Sequence, residues 1–249
     1  MKQLLQTTAK ILVLFAIIIT TSCNKNKEVD AQSAEDNARG ALIVADAFAF
    51  SNSGSSGKAI ADTTCYSIVT GYHYMEITFD NCNYNGIHRN GTLKINLTND
   101  WSDGAVMNIE FIDFTYDGNS VSGKISAGYR IDLNGIYFEI LAKNMLLNFS
   151  DGKSLSWESN LNFALKINGF LPVFEIYGYS SGINREGQAF EMEAEAIIFD
   201  RACAWPVSGI YTMTIDNNIT TINFDEDESG SCNNIINVSN KYNSINIDL

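Results

Sequence analysis

The fold is decided by residues 154–168, which read SLSWESNLNFALKIN. Apolar side chains recur with a period of two from Leu155 through Trp157 to Ile167, and the positions between them are mostly polar. This period describes a β-strand with one dry face and one wet face, which antiparallel sheets permit and buried parallel sheets do not. The stretch therefore predicts a long strand in an antiparallel sheet.

The same period extends over most of the chain after Cys65. Further alternating runs cover residues 92–98, 124–133 and 190–198, and pairs that favour tight hairpins follow or precede such runs. These pairs are Asn90-Gly91, Asp103-Gly104, Asp117-Gly118, Asn134-Gly135, Asp151-Gly152 and Asn168-Gly169. We predict an all-β fold over residues 58–249: an antiparallel meander of about 11–12 strands, arranged as a curved sheet, a sandwich or an open barrel.

The first 22 residues have the composition of a secretory signal peptide. Lys2 supplies a positive charge, residues 11–19 are an unbroken apolar run, and small residues lead to Cys23. The apolar run is shorter than the roughly 20 residues that a membrane-spanning helix needs. The sequence therefore predicts export of a mature chain that begins at Cys23.

Ser22-Cys23 resembles the lipobox of bacterial lipoproteins in the relaxed form common in Bacteroidetes, although Thr20 replaces the usual Leu, Val or Ile. The resemblance implies that Cys23 is acylated and that residues 23–31 tether the fold to a membrane. The alternative is an ordinary cleaved signal followed by a free cysteine. A lipid anchor would be needed for membrane attachment, because the chain carries a net charge of −13, or −15 without Lys2 and Lys10. The same charge argues against nucleic acid as a partner.

Residues 32–57 are rich in alanine and then in serine and glycine. Leu42, Ala45 and Phe48 have helical spacing, and Ser33 is a candidate N-cap. We predict one helix that plugs or flanks the dry face of the sheet, followed by a flexible hinge from Ser51 to Gly57. Asp62-Thr63-Thr64, just beyond, resembles an acceptor site for O-glycans in Bacteroidetes, with a plain loop as the alternative.

The mature chain has four cysteines in its folded part, and an even number in an exported protein predicts disulfides. Their order along the chain favours the local pairs Cys65–Cys82 and Cys203–Cys232 over pairs between the two ends. A zinc site is the alternative, but no CxxC spacing supports it.

Residues 65–98 and 203–238 share a pattern of Cys, Val and Gly, then Ile-x-Phe-Asp, then Cys-Asn. With these blocks the chain resembles a group of uncharacterised β-rich lipoproteins of Bacteroidetes. The resemblance implies an all-β fold and a location in the outer membrane, and it implies no particular activity.

Two motifs could indicate chemistry. Gly178-Tyr179-Ser180-Ser181-Gly182 matches the G-x-S-x-G nucleophile elbow, but both histidines, His73 and His88, precede the serine and no helix is predicted after it. We expect His73 to lie on a strand and His88 to be solvated in a hairpin. Asp225, Asp227 and Ser229 match half of a calcium-binding loop, whose twelfth position would be Ile236 rather than Glu. No P-loop or HExxH motif occurs, and no cofactor is predicted.

The tryptophans offer the best ligand-contact candidate. Trp157 falls on the dry face of its strand, whereas Trp101 lies in a polar segment between Asp100 and Asp103. An exposed tryptophan beside carboxylates is typical of sugar binding, and packing against a sheet edge is the alternative.

Two functions of different classes follow. The first is a non-enzymatic binding or scaffold module for a glycan, a lipid or a partner protein. The second is a cell-envelope hydrolase that uses carboxylates. A carboxylate-poor concavity would favour binding, and carboxylates clustered in a cleft would favour hydrolysis.

Overall fold

A computed structural model describes residues 28–55, 65–84, 86–98, 104–133, 135–168, 171–200, 203, 205–225, 232 and 235–248. It contains helix α1 (Ala31–Ser55) and the strands β1 (Tyr66–Gly71), β2 (Tyr74–Tyr84), β3 (Ile87–Leu97), β4 (Val106–Tyr116), β5 (Asn119–Asp132), β6 (Gly135–Asn148), β7 (Ser154–Asn168), β8 (Leu171–Ile183), β9 (Ala189–Phe199), β10 (Ser208–Ile215), β11 (Asn218–Asn223), β12 (Ile235–Asn240) and β13 (Ser244–Asp248).

The strands form one sheet in which each strand pairs antiparallel with the next in the chain, from β1 to β13. This confirms the all-β meander with one N-terminal helix and adds a strand beyond the predicted range. Within the described residues β1 and β13 do not pair with each other, so the sheet is open. Of the three predicted arrangements, the fold is a single curved sheet.

Helix α1 lies inside the curve of this sheet. From Ser33 to Ser51 none of its residues is exposed, and its apolar side chains are buried on every side of the helix. A helix with apolar side chains on every side is stable in water only where other elements cover them. The predicted plug position is therefore correct, and the sheet wraps around the helix.

The ends of the helix differ from prediction. Asp30, not Ser33, caps the N-terminus, because its Oδ1 accepts a hydrogen bond of 3.0 Å from the Ser33 amide. At the other end the helix continues to Ser55, into the predicted hinge. The Ser51 hydroxyl donates to the Ala47 carbonyl within the helix at 2.7 Å, and the buried Phe50 packs against Phe79 of the sheet just before this last part.

Gly40 lies inside the helix, where its small size allows β7 to pack closely against the helix backbone. A Cβ on Gly40 would lie 3.3 Å from Leu155 and 3.5 Å from Trp157, both on β7. The helix backbone therefore passes close to β7, which offsets the low helix propensity of glycine.

Aromatic rings fill the space between the helix and both halves of the sheet. Phe48 packs edge-on against Phe138 and Phe163, with ring centroids 4.8 and 5.4 Å apart. Phe50 packs against Phe79 at 5.1 Å and Tyr66 at 6.2 Å. Each such pair contributes about 0.5–1.5 kcal/mol beyond its buried area. Two neighbouring helix residues thus tie β1 and β2 to the middle of the sheet.

Four β-bulges let the sheet bend this sharply. Each has a residue with positive φ in β2, β4, β6 or β9, and the strand register shifts there. These residues are Asn81, Asp113, Asn144 and Ala196. A bulge bends its strand and increases the local twist, so bulges recurring across the sheet curl it around the helix.

Glycines on neighbouring strands fit into these bulges. The pair Asn90-Gly91 is one case, and its predicted role as a hairpin turn is wrong, because Gly91 lies inside β3 with a φ of 100°. A Cβ there would lie 2.3 Å from the Asp113 carbonyl oxygen. Asp117-Gly118 and Asp151-Gly152, in contrast, join strands as predicted.

Among the described residues, charged groups bind the helix to the strands and turns of the sheet at three places. The Arg89 guanidinium donates to both carboxylate oxygens of Asp46, at 2.7 and 2.8 Å, and Arg185 makes the same paired contact with Asp36. Arg39 bonds to Asp117 at 2.8 Å. Burial pulls the pKa of Arg89 down, but Asp46 outweighs it and leaves that pKa raised. Burial raises the pKa of Asp36 in spite of Arg185.

Both predicted disulfides, Cys65–Cys82 and Cys203–Cys232, are present. Cys65 precedes β1 and is bonded to Cys82 in β2. Cys203 precedes β10 and is bonded to Cys232, which follows β11. The bonds thus lie at the β1–β2 and β10–β11 hairpins and hold regions near the two ends of the sheet.

Substitution of Gly91 should show how strongly the bulges constrain the fold. Gly91→Ala places a methyl group against the Asp113 backbone, and we expect it to lower the free energy of unfolding by about 3 kcal/mol or more. Urea denaturation measures the change. Gly118→Ala is the matched control: its φ of 76° is also positive, but nothing lies within 4 Å of the added Cβ. If Gly118→Ala lowered the free energy of unfolding as much as Gly91→Ala does, the proposed role of Gly91 in the bulge would be wrong.

Removal of the Asp46 carboxylate should leave the buried Arg89 charge uncompensated. We expect Asp46→Ala to lower the free energy of unfolding by about 3–5 kcal/mol, measured by the same method. Glu110→Ala, which breaks the exposed pair with Lys124, should cost less than about 1 kcal/mol. Similar losses in both variants would show that the buried pair has no special role.

Candidate ligand-binding groove

A depression of about 510 Å³ crosses strands β6 to β10 on the outer face of the sheet, away from the helix. Its lining includes residues whose side chains alternate outward, and its floor is the backbone of Ala142, Ser159, Ser180 and Met192, whose side chains are buried. We call this depression the outer groove.

Strand register arranges the outward side chains of the groove in two rows. In the first row the cross-strand partners are Leu141, Asn160, Tyr179, Glu193 and Thr212. The second row contains Lys143, Glu158, Ser181, Glu191 and Thr214. Five strands span roughly 19 Å, and the rows are about 7 Å apart along each strand. The groove thus has the proportions to hold a short linear oligomer laid across the strands.

Tyr179 provides the aromatic surface of the groove. Its side chain is 63% exposed, and its hydroxyl donates to Glu193 Oε1 at 2.8 Å. This hydrogen bond raises the pKa of Tyr179, so the hydroxyl stays protonated and the ring is held in place. An exposed ring with a tethered hydroxyl can stack on the apolar face of a ligand.

Two carboxylates in the second row have no partner of their own. Ser181 on β8 is the cross-strand partner of both Glu158 on β7 and Glu191 on β9, and both glutamates are exposed. Neither makes an ion pair or a side-chain hydrogen bond with any residue that the structure describes. With Glu193 they outnumber the one cation of the lining, Lys143, so the groove is acidic.

The G-x-S-x-G motif has a structural role beneath this groove. Ser180 is buried in the middle of β8 rather than at a turn before a helix, and Gly178 and Gly182 face the same way. Added Cβ atoms would lie 2.2 Å from the Asn160 carbonyl oxygen at Gly178 and 2.0 Å from that of Ser156 at Gly182. Gly178 and Gly182 therefore lack side chains because the β7 backbone occupies that space, and the motif serves the pairing of β7 with β8.

The histidines form no catalytic arrangement with Ser180. His73 lies in the turn between β1 and β2 with a φ of 55°, so its predicted place on a strand is wrong. Its ring stacks on Tyr72 at 4.0 Å. His88 is exposed in β3, as predicted, and its Nε2 lies 3.1 Å from Asn83 Nδ2. Neither lines the outer groove.

Several predicted positions lie outside the described residues: Cys23, the segment Asp62-Thr63-Thr64, the ligand candidates Asp100, Trp101 and Asp103, and Asp227 and Ser229 of the calcium loop. Asp225 is described, and its amide donates to Asn223 Oδ1 at 3.0 Å. In the described ranges no three His, Cys, Asp or Glu side chains gather to hold a metal ion. The other two tryptophans, Trp157 and Trp205, are buried.

A second depression of about 540 Å³ lies where the chain enters the fold. Glu28, Asp30, Lys241 and Tyr242 are among its lining residues, and Asn240 Nδ2 donates to the Glu28 carbonyl at 3.0 Å. The start of α1 is thereby fixed beside the β12–β13 turn.

Comparison with family models, curated proteins and solved structures finds no match. The class of the protein is accordingly given by its own structure: an open antiparallel sheet wrapped around its N-terminal helix. Over the part of the chain that is described, no helix has both the length and the apolar composition of a membrane span.

Sequence reasoning did not find the outer groove. Alternation identifies Glu158 and Glu191 as wet-face residues, and it does the same for many other polar side chains. Only the register of β7, β8 and β9 shows that these two lie in one row.

Proposed function

We propose that this protein is a lipid-anchored module of a bacterial cell envelope that binds a glycan in the outer groove and has no enzymatic activity. The observation that carries the proposal is the exposed, hydrogen-bonded Tyr179 in a groove whose lining combines apolar surface with amide, hydroxyl and carboxylate groups. A planar ring for the C–H face of a sugar and polar groups for its hydroxyls are what such a ligand requires.

A lipid ligand is less well supported, because the place where a curved sheet would enclose an acyl chain is taken. Helix α1 fills that interior with Leu42, Val44 and Phe48, all of them buried. The outer groove, in turn, is lined by Glu158, Glu191 and Glu193, whose carboxylates an acyl chain would have to desolvate.

A peptide ligand is less well supported for a different reason. Extended peptides usually bind to a sheet edge, where free backbone groups form hydrogen bonds with them. The groove crosses β6 to β10, each paired on both sides, so the ladders already engage much of the backbone at its floor. Side chains alone must hold the ligand, which suits the hydroxyls of a sugar.

The position of the chain's entry into the fold is compatible with a lipid on Cys23. Glu28 is held against the sheet, and the five intervening peptide steps from Cys23 span at most about 18 Å. A lipid on Cys23 would keep the β12–β13 turn near the membrane surface. The acidic chain would not adhere to anionic headgroups by itself.

Tyr179→Ala should weaken glycan binding without unfolding the protein. We expect binding to an array of envelope and host glycans, checked by calorimetry for each hit, to weaken at least about ten-fold, because stacking by the ring is lost. The matched control is Tyr242→Ala, which removes another exposed ring, 56% accessible, far from the groove. The proposal would be refuted if both variants weakened binding equally, or if the Tyr179→Ala variant bound the array hits as tightly as the unaltered protein.

Cys23→Ala should release the protein from membranes. In cells the variant is expected in the soluble fraction after a salt wash, whereas the unaltered chain stays with the membrane, because only acyl chains would anchor this acidic protein. Metabolic labelling with a palmitate analogue should mark the unaltered chain alone. A variant that remains in the membrane fraction would place the anchor elsewhere.

A carboxylate hydrolase is the second candidate, and the cluster of Glu158, Glu191 and Glu193 in a groove favours it. Strand geometry separates the backbones of Glu158 and Glu191 by roughly 10 Å, from which their side chains can approach the separations used in glycoside hydrolysis. Binding is preferred because both carboxylates are exposed on an open face. Turnover of a glycoside by the purified protein that is lost in Glu158→Gln or Glu191→Gln would establish the hydrolase instead.

A further inference from the structure

We infer that the glycan held by the outer groove is a linear amino sugar oligomer with free, protonated amino groups. This inference rests on the proposed function and specifies the class of ligand. It follows from the acidic lining of the groove, from the lack of partners for Glu158 and Glu191, and from the position of these two residues in one row.

The carboxylates of Glu158 and Glu191 hold no other part of the described fold. Some acidic side chains elsewhere on the outer face have partners, such as Glu110 with Lys124 and Glu175 with Lys166, whereas exposed Glu139 has none among the described residues. Glu158 and Glu191 have none among the residues described, although they face a common hollow. Like charges gathered on one side of a sheet destabilise it, and a cation placed between them relieves that repulsion.

The row arrangement fits an ammonium group that also needs a hydroxyl partner. Ser181 lies between Glu158 and Glu191, and Tyr179 follows on the same strand and face. A sugar stacked on the Tyr179 ring would thus place a substituent of the same or the next unit among three carboxylates. An ammonium group donates up to three hydrogen bonds, and a protonated amine would find acceptors on both sides.

Other charge classes of glycan fit poorly. Sulfated or uronic acid polymers would meet Glu158, Glu191 and Glu193, with only Lys143 to offset them. Neutral N-acetylated chains could stack on Tyr179 but would leave the carboxylates unpaired. A lysine-rich peptide has the right charge, but its backbone would find few free partners on the paired strands below.

The test compares two oligomers of equal length, one of glucosamine and one of N-acetylglucosamine, by calorimetry with the purified mature protein. We expect the glucosamine oligomer to bind at least about ten-fold more tightly and its affinity to fall as salt is raised. Glu158→Gln and Glu191→Gln should each weaken it about three-fold, as for a partly exposed ion pair, and leave the N-acetylated oligomer unchanged.

Glu139→Gln is the matched control. Glu139 is exposed on β6 and does not line the groove, and its substitution by glutamine removes the same charge as the other two variants. Since the whole chain is acidic, a polycation would be attracted weakly to any part of it. If Glu139→Gln weakens the glucosamine oligomer as much as Glu158→Gln does, the attraction is general and the inference is wrong.

The remaining outcomes separate this inference from the proposed function. Equal binding of both oligomers, lost in Tyr179→Ala but not in the glutamate variants, would overturn the amino sugar preference and leave glycan binding intact. Binding of neither oligomer would overturn the inference, and only the wider glycan array would then decide the proposed function. Tighter binding of a lysine oligomer of equal length would overturn it in favour of a peptide ligand.

Discussion

The enclosure of helix α1 by a single sheet is the constraint on which the rest of the structure depends. An alanine-rich helix with apolar side chains on every side would expose many of them to water, so the sheet must curve until it covers them. Antiparallel strands do not bend so far without local breaks in register. The bulges at Asn81, Asp113, Asn144 and Ala196 supply these breaks, and neighbouring glycines accept them.

The same enclosure explains why the interior contains charge. Asp36 and Asp46 lie on a helix that the sheet surrounds, and water cannot solvate them fully. Arg185 and Arg89 reach them from the sheet with paired hydrogen bonds, which replace lost hydration. Because each pair needs a defined geometry, these contacts also fix how the helix is placed along the sheet. Apolar packing alone would allow it to slide.

The outer groove lies over the segment of β8 that matches the nucleophile-elbow motif. Gly178 and Gly182 are glycines because the β7 backbone lies where their Cβ atoms would be, and Ser180 between them is buried. The outward positions of the same segment, Tyr179 and Ser181, then line a hollow. A motif that resembles a nucleophile elbow thus has a structural role in the sheet, and Glu158 and Glu191 near it have no partner among the described residues.

Much of the fold could be predicted from the sequence because its signals are local. Alternation along 154–168 determines a strand and the face of Trp157, and Asp117-Gly118 determines a hairpin, since each depends on a few adjacent residues. Chain order was sufficient for the pairs Cys65–Cys82 and Cys203–Cys232, because short loops close easily. The place of Gly91 in a bulge was missed, because a turn and a bulge both use positive φ.

Only the tertiary structure decided which wet-face residues meet. Glu158 and Glu191 are 33 residues apart in the chain, and a shift of one residue in the register of β7, β8 or β9 would turn one of them to the other face. The partner of Arg89 depends likewise on how a distant helix is placed. Local patterns determine which face of a strand is wet, whereas register and curvature, which depend on the whole sheet, determine where a site forms.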